Sequence, residues 1–252
     1  MRFNGAQPVS IERRHFRLLL SKRYVVCEKT DGIRHFLIRE DGEPYMLNRA
    51  LVKTAVNVRI PKNTYLDGEL VGDSTFIVYD AMMIDGEDIC ELNLLDRMER
   101  AKILIKKVPF LKGGFRMVSK NHVPLTDIGK LDPFKEGTDG LIFTPIDEPV
   151  RYGTHETLLK WKPAEHITID FMYDREGFLC TQAGAVARAR FKAQVGSIVE
   201  CRLVNGHWEL VKVRTDKIHS NNKRTYERTL VNIREDIKFS ELVQLVKNAV
   251  QG

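Results

Sequence analysis

The segment Lys29-Thr30-Asp31-Gly32-Ile33-Arg34 presents a lysine in a setting where it could act as a nucleophile. An apolar run, Tyr24 to Cys27, precedes it and predicts a buried strand, Asp31-Gly32 predicts a turn, and a second apolar run follows at 36–38. A lysine amine attacks a phosphorus or carbonyl centre only when it is deprotonated. A lysine that forms a salt bridge in a hairpin has the same local pattern, so the motif alone leaves both interpretations open.

Asp-Gly-Glu occurs three times, and the neighbouring residues distinguish the copies. The copies at 41–43 and 85–87 lie in a polar stretch and at a strand end, and both predict turns. Asp67-Gly68-Glu69 is instead preceded by Tyr65-Leu66 and followed by Leu70-Val71. Carboxylates within an apolar strand are costly unless they are paired or bind a ligand. Glu69 is therefore the functional candidate, with a buried salt bridge as the alternative.

Four later residues, in three segments of the chain, add candidates for binding a nucleotide. Tyr79 lies in the apolar run 76–80 and could stack on a base, or could be a core tyrosine with a hydrogen-bonded hydroxyl. Asp139 stands directly before another apolar strand. Lys160 and Lys162 alternate with Trp161, so a strand would place both on one face, where a triphosphate would relieve their repulsion. A solvated edge strand is the alternative for this pair.

The composition is that of a globular protein with one large or two modest domains, at 252 residues, 43% apolar and 29% charged. No apolar stretch is long enough for a membrane span, and the start lacks a signal-peptide core, so no membrane partner is expected. The four scattered cysteines predict reduced thiols and a reducing compartment. Residues 188–228 hold ten Lys/Arg and four Asp/Glu, and this surplus of six positive charges equals the net charge of the whole chain, +6. This basic segment suits RNA or a nucleoside triphosphate, or is a solubilising surface.

Hydrophobic periodicity predicts an α/β region followed by a region of short strands. Ser10 is expected to cap a helix over 11–22, and Asn93 to cap another over 94–107. After a seam at 163–165, five short strands predict a small barrel of the OB type, which a helix over 239–250 closes. The predicted strands are 24–28, 34–39, 64–71, 76–83, 115–119, 139–144 and 157–162 before the seam, and 166–173, 177–182, 186–192, 197–204 and 207–213 after it.

Taken in order, these segments resemble the motifs of the lysine nucleotidyltransferase superfamily, which includes messenger-RNA capping guanylyltransferases and ATP- or NAD-dependent polynucleotide ligases. The capping guanylyltransferases are the more similar branch, and the resemblance covers nearly the whole chain. One departure is His219-Ser220-Asn221, where the family motif continues to Pro-Asn. The matching motifs are Gln-Pro-Val-Ser at 7–10, Lys-Thr-Asp-Gly-Ile-Arg at 29–34, Leu-Asp-Gly-Glu-Leu-Val at 66–71, Asp-Gly-Leu-Ile-Phe-Thr-Pro at 139–145, Leu-Leu-Lys-Trp-Lys-Pro at 158–163, Thr-Ile-Asp-Phe at 168–171 and Arg-Thr-Asp-Lys at 214–217.

The resemblance implies an α/β nucleotidyltransferase domain of the ATP-grasp-like ligase and capping type over 1–165. It also implies an OB-fold β-barrel domain over 166–228 and a closing C-terminal helical segment over 229–252. The implied enzyme is an mRNA guanylyltransferase that forms lysyl-GMP from GTP, releases pyrophosphate and transfers GMP to the 5′-diphosphate end of RNA.

The resemblance also assigns roles to residues. Lys29 is the expected nucleophile, and Glu69 the expected ribose ligand. Tyr79 is expected to stack on guanine, and Lys120 to read its acceptor edge. A Mg²⁺ or Mn²⁺ ion is expected at Asp139 and Glu69. The complete set of expected nucleotide-binding residues is Thr30, Arg34, Arg49, Glu69, Tyr79, Lys120, Lys160, Lys162, Asp170, Arg214, Asp216 and Lys217.

At 252 residues the chain is expected to rely on a separate RNA triphosphatase and a separate cap methyltransferase. The phosphorylated tail of RNA polymerase II is a further possible partner. The expected compartment is the nucleus for a cellular enzyme and the cytoplasm for a viral one. Two alternatives stay open: an ATP-dependent polynucleotide ligase that forms lysyl-AMP, and a non-catalytic OB-fold RNA-binding protein. Labelling with GTP and with ATP separates all three.

Overall fold

The computed structural model describes residues 5–72, 74–215 and 217–251. The chain forms two compact units. The first unit comprises the chain up to Val9, His15–Trp161 and the chain from Val243 onward, and the second comprises Ser10–Arg14 and Lys162–Leu242. The described residues include no helix with the length and hydropathy of a membrane span. Cys27, Cys90, Cys180 and Cys201 are free thiols.

The first unit is built mainly from strands, and most of its predicted strands form within a few residues of their expected bounds. Its helices are α1 (Phe16–Ser21) and α2 (Leu94–Lys107). Its strands are β1 (Ala6–Ser10), β2 (Tyr24–Thr30), β3 (Ile33–Arg39), β4 (Tyr45–Asn48), β5 (Lys53–Ala55), β6 (Thr64–Val71), β7 (Thr75–Ile84), β8 (Glu87–Asp88), β9 (Arg116–Ser119), β10 (Val123–Pro124), β11 (Thr138–Pro145) and β12 (Gly153–Trp161).

These strands form two sheets. One has the order β1-β12-β11-β2-β10, and the other has the order β5-β4-β3-β6-β7-β8 with β9 parallel to β7. The strands on either side of Asp31-Gly32 therefore belong to different sheets: β2 pairs with β11, and β3 pairs with β6. The alternative for Lys29 is therefore wrong about the hairpin, because the turn carries the chain from one sheet to the other, but Lys29 does form a salt bridge, with Asp139.

Helix α2 covers one face of the second of these sheets. Asn93 caps it by accepting from the Asp96 backbone N–H at 3.0 Å, as the sequence predicts. The helix buries Met98, Ala101 and Leu104, and the last two pack in a core with side chains from β3, β6 and β7. Burial of such side chains stabilises the fold by roughly 1.5–3 kcal/mol for each large residue.

The predicted helix over 11–22 is shorter than expected. A 3-10 turn at Arg13–His15 precedes α1, and His15 stands at the N-cap without a side-chain hydrogen bond. Ser10 is therefore not the cap, because it ends strand β1.

The second unit contains one antiparallel sheet with the order β15-β14-β13-β16-β17. Closure of this sheet into an OB barrel stays a prediction. Its elements are β13 (Thr168–Tyr173), β14 (Phe178–Thr181), β15 (Gly184–Arg188), β16 (Ile198–Val204), β17 (His207–Val213) and α3 (Lys223–Glu235). The last helix, α4 (Phe239–Gln251), begins in the second unit, and its residues from Val243 onward belong to the first.

Helix α3 is missing from the sequence prediction, and it spans the expected boundary at 228/229. Its signals are present in the sequence. Asn222 caps it by accepting from the Thr225 backbone N–H at 2.8 Å. Tyr226, Leu230 and Ile233 recur at helical spacing and pack on the core of the second unit.

Candidate active site

The turn between the two sheets of the first unit places Lys29 at the end of β2. Gly32 permits this turn, because a Cβ there would lie 2.6 Å from the Leu70 carbonyl oxygen and 2.8 Å from the Glu69 Cγ. Any side chain at this position would therefore push β6 away. The glycine brings the lysine motif next to the strand that carries Glu69.

The Lys29 Nζ donates to the Asp139 Oδ1 at 2.7 Å. Asp139 lies on β11, which pairs with β2, so the sheet itself fixes the partner. The two side chains are partly exposed, at 25% and 18%. A candidate nucleophile and a candidate proton acceptor are thus in contact and accessible to a substrate.

Lys29 opens onto a cavity of about 160 Å³ lined by residues from both sheets. Most first-unit candidates line it, whereas Asp139 and Lys160 are not among its lining residues. The cavity is lined by Ala6, Pro8, Cys27, Glu28, Lys29, Thr30, Arg34, Arg49, Asp67, Glu69, Tyr79, Asp80, Lys120, Ile142, Thr144 and Leu158.

Arg34 is held by Asp67, a residue that the sequence analysis did not select. The Arg34 Nε and Nη2 donate to the two Asp67 carboxylate oxygens at 3.0 and 2.5 Å. The Arg34 Nη1 donates to the Ala6 carbonyl at 2.6 Å. Both members of the pair are buried, so the charges stabilise each other in place of water. The first Asp of Asp-Gly-Glu therefore has a structural role beside the candidate Glu69.

Tyr79 lies in the middle of β7, which continues to Ile84. The Arg34 guanidinium carbon lies 5.7 Å from the centre of its ring. Burial, together with the nearby Asp67 carboxylate, raises the pKa of the Tyr79 hydroxyl. Tyr79 thus joins the Arg34–Asp67 pair and also lines the cavity.

Glu69 faces the same cavity from β6. Burial raises its pKa to about 7, although Lys29, Arg49 and Arg34 lower it in part. A carboxyl with a strongly shifted pKa in a cleft is typical of a functional site. Gly68 beside it permits close packing, because a Cβ there would lie 2.5 Å from the Ile77 carbonyl oxygen.

Lys120 and Thr30 meet at another wall of the cavity. The Lys120 Nζ donates to the Thr30 Oγ1, and burial lowers the pKa of this ammonium. The Lys120 backbone N–H donates to the Val78 carbonyl at 2.7 Å, which fixes the residue beyond the end of β9. Arg49 follows β4 and also lines the cavity, with Arg34 and Glu69 as charged neighbours.

Lys160 lies on β12 opposite Ile142 of β11. It alternates with the buried Leu159 and Trp161, so it shares a face with the cavity residue Leu158. Strand β12 ends at Trp161, and Lys162 lies after it, at the start of the second unit's main segment. Lys160 therefore lies on the strand as predicted, whereas Lys162 lies one residue beyond its end.

Asp80 also borders the cavity, and a buried arginine fixes it. The Arg97 Nε and Nη2 donate to the Asp80 oxygens at 2.7 and 2.9 Å. The Arg97 Nη1 donates to the Leu92 and Glu148 carbonyls at 2.5 and 3.2 Å. This arginine joins β7, α2 and the segment after β11, and thereby supports the wall behind the candidate site.

The second unit gathers Arg214 and Lys217 around Asp170. The Arg214 Nη1 lies 3.2 Å from the Asp170 Oδ1 and 3.4 Å from the Glu200 Oε2, and the Lys217 Nζ donates to the Asp170 Oδ2. The Thr168 hydroxyl donates to Glu200 at 2.7 Å. Asp216 lies outside the described residues.

Asn221 explains how the departure from the Pro-Asn motif is accommodated. The Asp170 N–H donates to the Asn221 Oδ1 at 2.9 Å, and the Asn221 N–H donates to the Asp170 carbonyl at 2.8 Å. The asparagine thus positions the strand that carries Asp170. Sequence reasoning missed Glu200 and Asn221, although a glutamate between apolar residues of a strand is the same signal that selected Glu69.

Two family descriptions match the chain: "mRNA capping enzyme, catalytic domain" over residues 1–164, and "mRNA capping enzyme, C-terminal domain" over residues 156–243. The chain is similar to the "mRNA-capping enzyme subunit alpha" of Schizosaccharomyces pombe, with 28% identity over 96% of this chain and 79% of the relative. It is also similar to the "mRNA-capping enzyme" of Caenorhabditis elegans, with 25% identity over 99% of this chain. It spans about half of that longer relative, 49%.

Among solved structures, the fold is similar to one named "Pmar-Lig_Pre.", with a TM-score of 0.51 and 13% identity. The match covers 91% of this chain and 60% of the other. At this identity the likeness concerns the fold alone.

Proposed function

The chain belongs to the mRNA capping enzyme family, and from this premise we propose that it is a GTP:mRNA guanylyltransferase that acts through Lys29. One observation carries the proposal for this particular lysine. Its Nζ lies at a cavity between two sheets, bound to Asp139 at 2.7 Å, in the sequence motif of the family nucleophile.

In the first step, the deprotonated Lys29 amine forms a bond to the α-phosphorus of GTP. The bond between the α-phosphorus and the oxygen bridging to the β-phosphate breaks, and pyrophosphate leaves with that electron pair. Asp139 is the carboxylate in position to accept the amine proton. The lysyl-GMP intermediate stores the guanylate for the second step.

Positioning and charge neutralisation supply most of the catalysis in transfers of this kind. Glu69 is the proposed ribose ligand, and Tyr79 the proposed surface for guanine. The Lys120 ammonium is the proposed donor to the guanine acceptors, with Thr30 holding it. Arg34 and Arg49 are proposed for the ribose and phosphates. Lys160 on β12 is proposed for the α-phosphate, together with Lys162.

The carboxylates near Lys29 fit a divalent ion that is bound jointly with a nucleotide. Within the described residues, no three His, Cys, Asp or Glu side chains form a cluster that could hold an ion alone. Mg²⁺ is commonly bound by one or two carboxylates together with substrate phosphates. Asp139 and Glu69, both close to Lys29, are the carboxylates proposed for Mg²⁺ or Mn²⁺. The ion would neutralise charge on the transferred phosphate.

Asp170, Arg214 and Lys217 of the second unit are proposed to bind the β- and γ-phosphates during the first step. The two cations already form charge-assisted hydrogen bonds with a carboxylate, and phosphate oxygens can take the place of that acceptor. Asp216 is proposed for the same group from the family motif.

In the second step, a terminal oxygen of the RNA 5′-diphosphate attacks the GMP phosphorus, and the bond to Lys29 breaks. The amine recovers a proton, and the product is a G(5′)ppp(5′)N end. An RNA triphosphatase reaction would supply the diphosphate end, and a cap methyltransferase reaction would consume the product. The nucleus is the proposed compartment for a cellular enzyme.

The test is incubation with α-labelled GTP or ATP and a divalent metal, followed by a denaturing gel. We expect a labelled protein band with GTP that is released as capped product when 5′-diphosphate RNA is added. Labelling with ATP in preference to GTP would indicate a polynucleotide ligase. Failure to form any adduct with a folded protein would indicate a non-catalytic RNA-binding protein.

A further inference from the structure

A second basic segment lies in the first unit, and the mechanism above does not use most of it. Residues 100–122 contain seven Lys/Arg and no Asp/Glu. Four of these lysines are exposed, and an exposed phenylalanine lies among them. We call this set the α2 basic surface, and it consists of Lys102, Lys106, Lys107, Phe110 and Lys112.

The segment after α2 is anchored to the fold, so the exposure of Phe110 is a feature of an ordered turn. The Asn57 side chain donates to the Lys112 carbonyl at 3.0 Å. Phe115 is buried and packs edge-to-face on Phe76, with ring centres 5.8 Å apart. Between these anchors and the helix, Phe110 is 70% exposed.

Helix electrostatics account for only part of this surface. Lys106 and Lys107 lie in the last turn of α2, where cations interact favourably with the helix dipole. Lys112 and Phe110 lie beyond the helix and gain nothing from it. In the described part of the chain, none of the four lysines lies within ion-pair distance of a carboxylate.

The α2 basic surface lies beside the strand that leads to the candidate active site, because Leu104 of α2 and Met117 of β9 share a core and Lys120 directly follows β9. His122 has both Lys102 and Lys120 as neighbours: burial and these two cations lower its pKa to about 4. Lys120 lines the cavity that contains Lys29. Cations therefore lie at both ends of this path, with Lys120 in the wall of the cavity and Lys102 in the C-terminal half of α2.

We propose that the α2 basic surface binds the single-stranded body of the acceptor RNA, downstream of the 5′ end that reacts at Lys29. Lysines bind successive phosphates, and an exposed aromatic ring stacks on a base without sequence preference. Its position beside the strand that leads to the cavity favours RNA over other polyanions, because the acceptor chain must lead away from that cavity. The inference rests on the proposed guanylyltransferase function, since that function makes RNA the acceptor.

The first test measures the affinity of the full chain, without GTP, for a 5′-diphosphate RNA of about 20 nucleotides, longer than the sites of most single-strand-binding modules. The variant Lys102→Ala/Lys106→Ala/Lys107→Ala/Lys112→Ala should bind more weakly. If all four lysines contact phosphates, the slope of log affinity against log salt concentration should fall by about 3. Formation of the GMP adduct from GTP should stay unchanged.

A matched control removes the same charge elsewhere. Lys62, Lys130, Lys223 and Lys238 are exposed lysines that each lie within 4.0 Å of a carboxylate. Their fourfold alanine variant should keep the wild-type salt dependence. An equal loss of RNA affinity in both fourfold variants would mean that binding depends only on net charge, and would overturn the proposal.

The second test distinguishes base stacking from docking of an acidic or phosphorylated peptide. Phe110→Ala and Phe110→Leu should both weaken RNA binding by about fivefold or more, and Phe110→Trp should restore it. A peptide pocket would accept leucine. Binding of a phosphoserine peptide that needs the four lysines, with RNA affinity unaffected by them, would replace the RNA proposal.

Kinetics separate failure of this inference from failure of the proposed function. The fourfold α2 variant should raise the KM for long diphosphate RNA and leave the KM for a diphosphate trinucleotide unchanged. A wild-type KM independent of RNA length would refute the RNA site while leaving the guanylyltransferase intact. Absence of any GMP adduct in wild-type protein would instead refute the function on which the inference rests.

Discussion

The first and second units both gather cations around buried carboxylates, but the two clusters differ in depth and in what holds them. In the first unit, the Arg34 and Asp67 side chains are each 7% exposed, and the pairing of β3 with β6 places Arg34 opposite Glu69, two residues along β6 from Asp67. In the second unit, Asp170 is equally buried, whereas Arg214 is 18% and Lys217 37% exposed. These two cations follow β17 and lie outside any regular strand.

The difference teaches how the two clusters can serve one reaction. A deep pair on paired strands is a permanent part of the scaffold, because separating its charges leaves one of them buried alone. A partly exposed pair on an irregular segment can exchange its carboxylate for an incoming phosphate at small cost. The first cluster is thus suited to positioning, and the second to binding and releasing an anion.

The largest expected effect is loss of the nucleophile in the first unit. Lys29→Ala and Lys29→Arg should both abolish the GMP adduct, because alanine lacks an amine and the guanidinium stays protonated. Labelling and peptide mapping measure this, with unfolding curves as the control for folding. An adduct on any other lysine would contradict the proposed mechanism.

The next largest effect is a difference in stability between variants of the two clusters. Asp67→Ala leaves Arg34 buried without its partner and should lower the free energy of unfolding by about 3–5 kcal/mol. Lys217→Ala removes a partly exposed member of its cluster and should cost about 1 kcal/mol or less. Chemical denaturation measures both. Comparable losses would show that the second cluster is also a rigid part of the scaffold.

Arg214→Ala and Lys217→Ala should instead affect the first catalytic step. Loss of one charge-assisted hydrogen bond to phosphate corresponds to about a 10- to 100-fold slower adduct formation from GTP. Given preformed lysyl-GMP enzyme, both variants should retain more of the transfer to RNA, because pyrophosphate takes no part in it. Equal losses in the two steps would mean that these residues are structural.

A smaller effect concerns base choice within the first unit. Lys120→Ala should reduce the preference for GTP over ATP by about 1–3 kcal/mol, because guanine presents acceptors where adenine presents a donor amine. Tyr79→Ala should weaken both nucleotides alike, since stacking is indifferent to base identity. Competition between labelled nucleotides measures the ratio. An unchanged ratio in Lys120→Ala would place the base-reading contact elsewhere.

The last comparison concerns one carboxyl group in each unit, Glu69 and Glu200, whose contributions to stability change with pH in opposite directions. Burial raises the pKa of Glu69 from 4.5 to about 7, so its protonated form stabilises the fold below about pH 4.5, and this contribution is lost as pH rises through 7. Burial acts to raise the pKa of Glu200 as well, but Thr168, Lys212 and Arg214 lower it overall. Its contribution is present above pH 4.5 and is lost as pH falls through the lowered value.

The test measures the free energy of unfolding of the wild type, Glu69→Gln and Glu200→Gln as a function of pH. Relative to Glu69→Gln, the wild type should lose stability as pH rises. Relative to Glu200→Gln, it should gain stability as pH rises through the acidic range. The same sign in both comparisons would mean that the two carboxyl groups do not differ as described.

Much of the local structure is predictable from the sequence. Asn93 and the spacing of Met98, Ala101 and Leu104 predict α2, and its bounds are confirmed. The short strands of the second unit are also found close to their expected positions. The sequence prediction lacks helix α3, although the Asn222 cap and the helical spacing of the apolar residues after it are visible in the sequence. The basic character of residues 100–122 is not visible in the net charge of the chain, because acidic residues elsewhere cancel its seven positive charges.

The sequence by itself determined which residues are chemically able to act: the types and order of the motifs select Lys29, Glu69 and Lys160 as candidates without any coordinates. Only the tertiary structure decided which partners these residues have. A strand pattern does not specify its sheet, so the sequence could not show that Asp31-Gly32 leads from one sheet into another, with the cavity between them. Ion pairs such as Arg34–Asp67 and Arg97–Asp80 join residues distant in the chain, and only strand register and helix packing bring them together. Charge and polarity are properties of single residues, whereas burial and pairing arise from the packing of the whole fold.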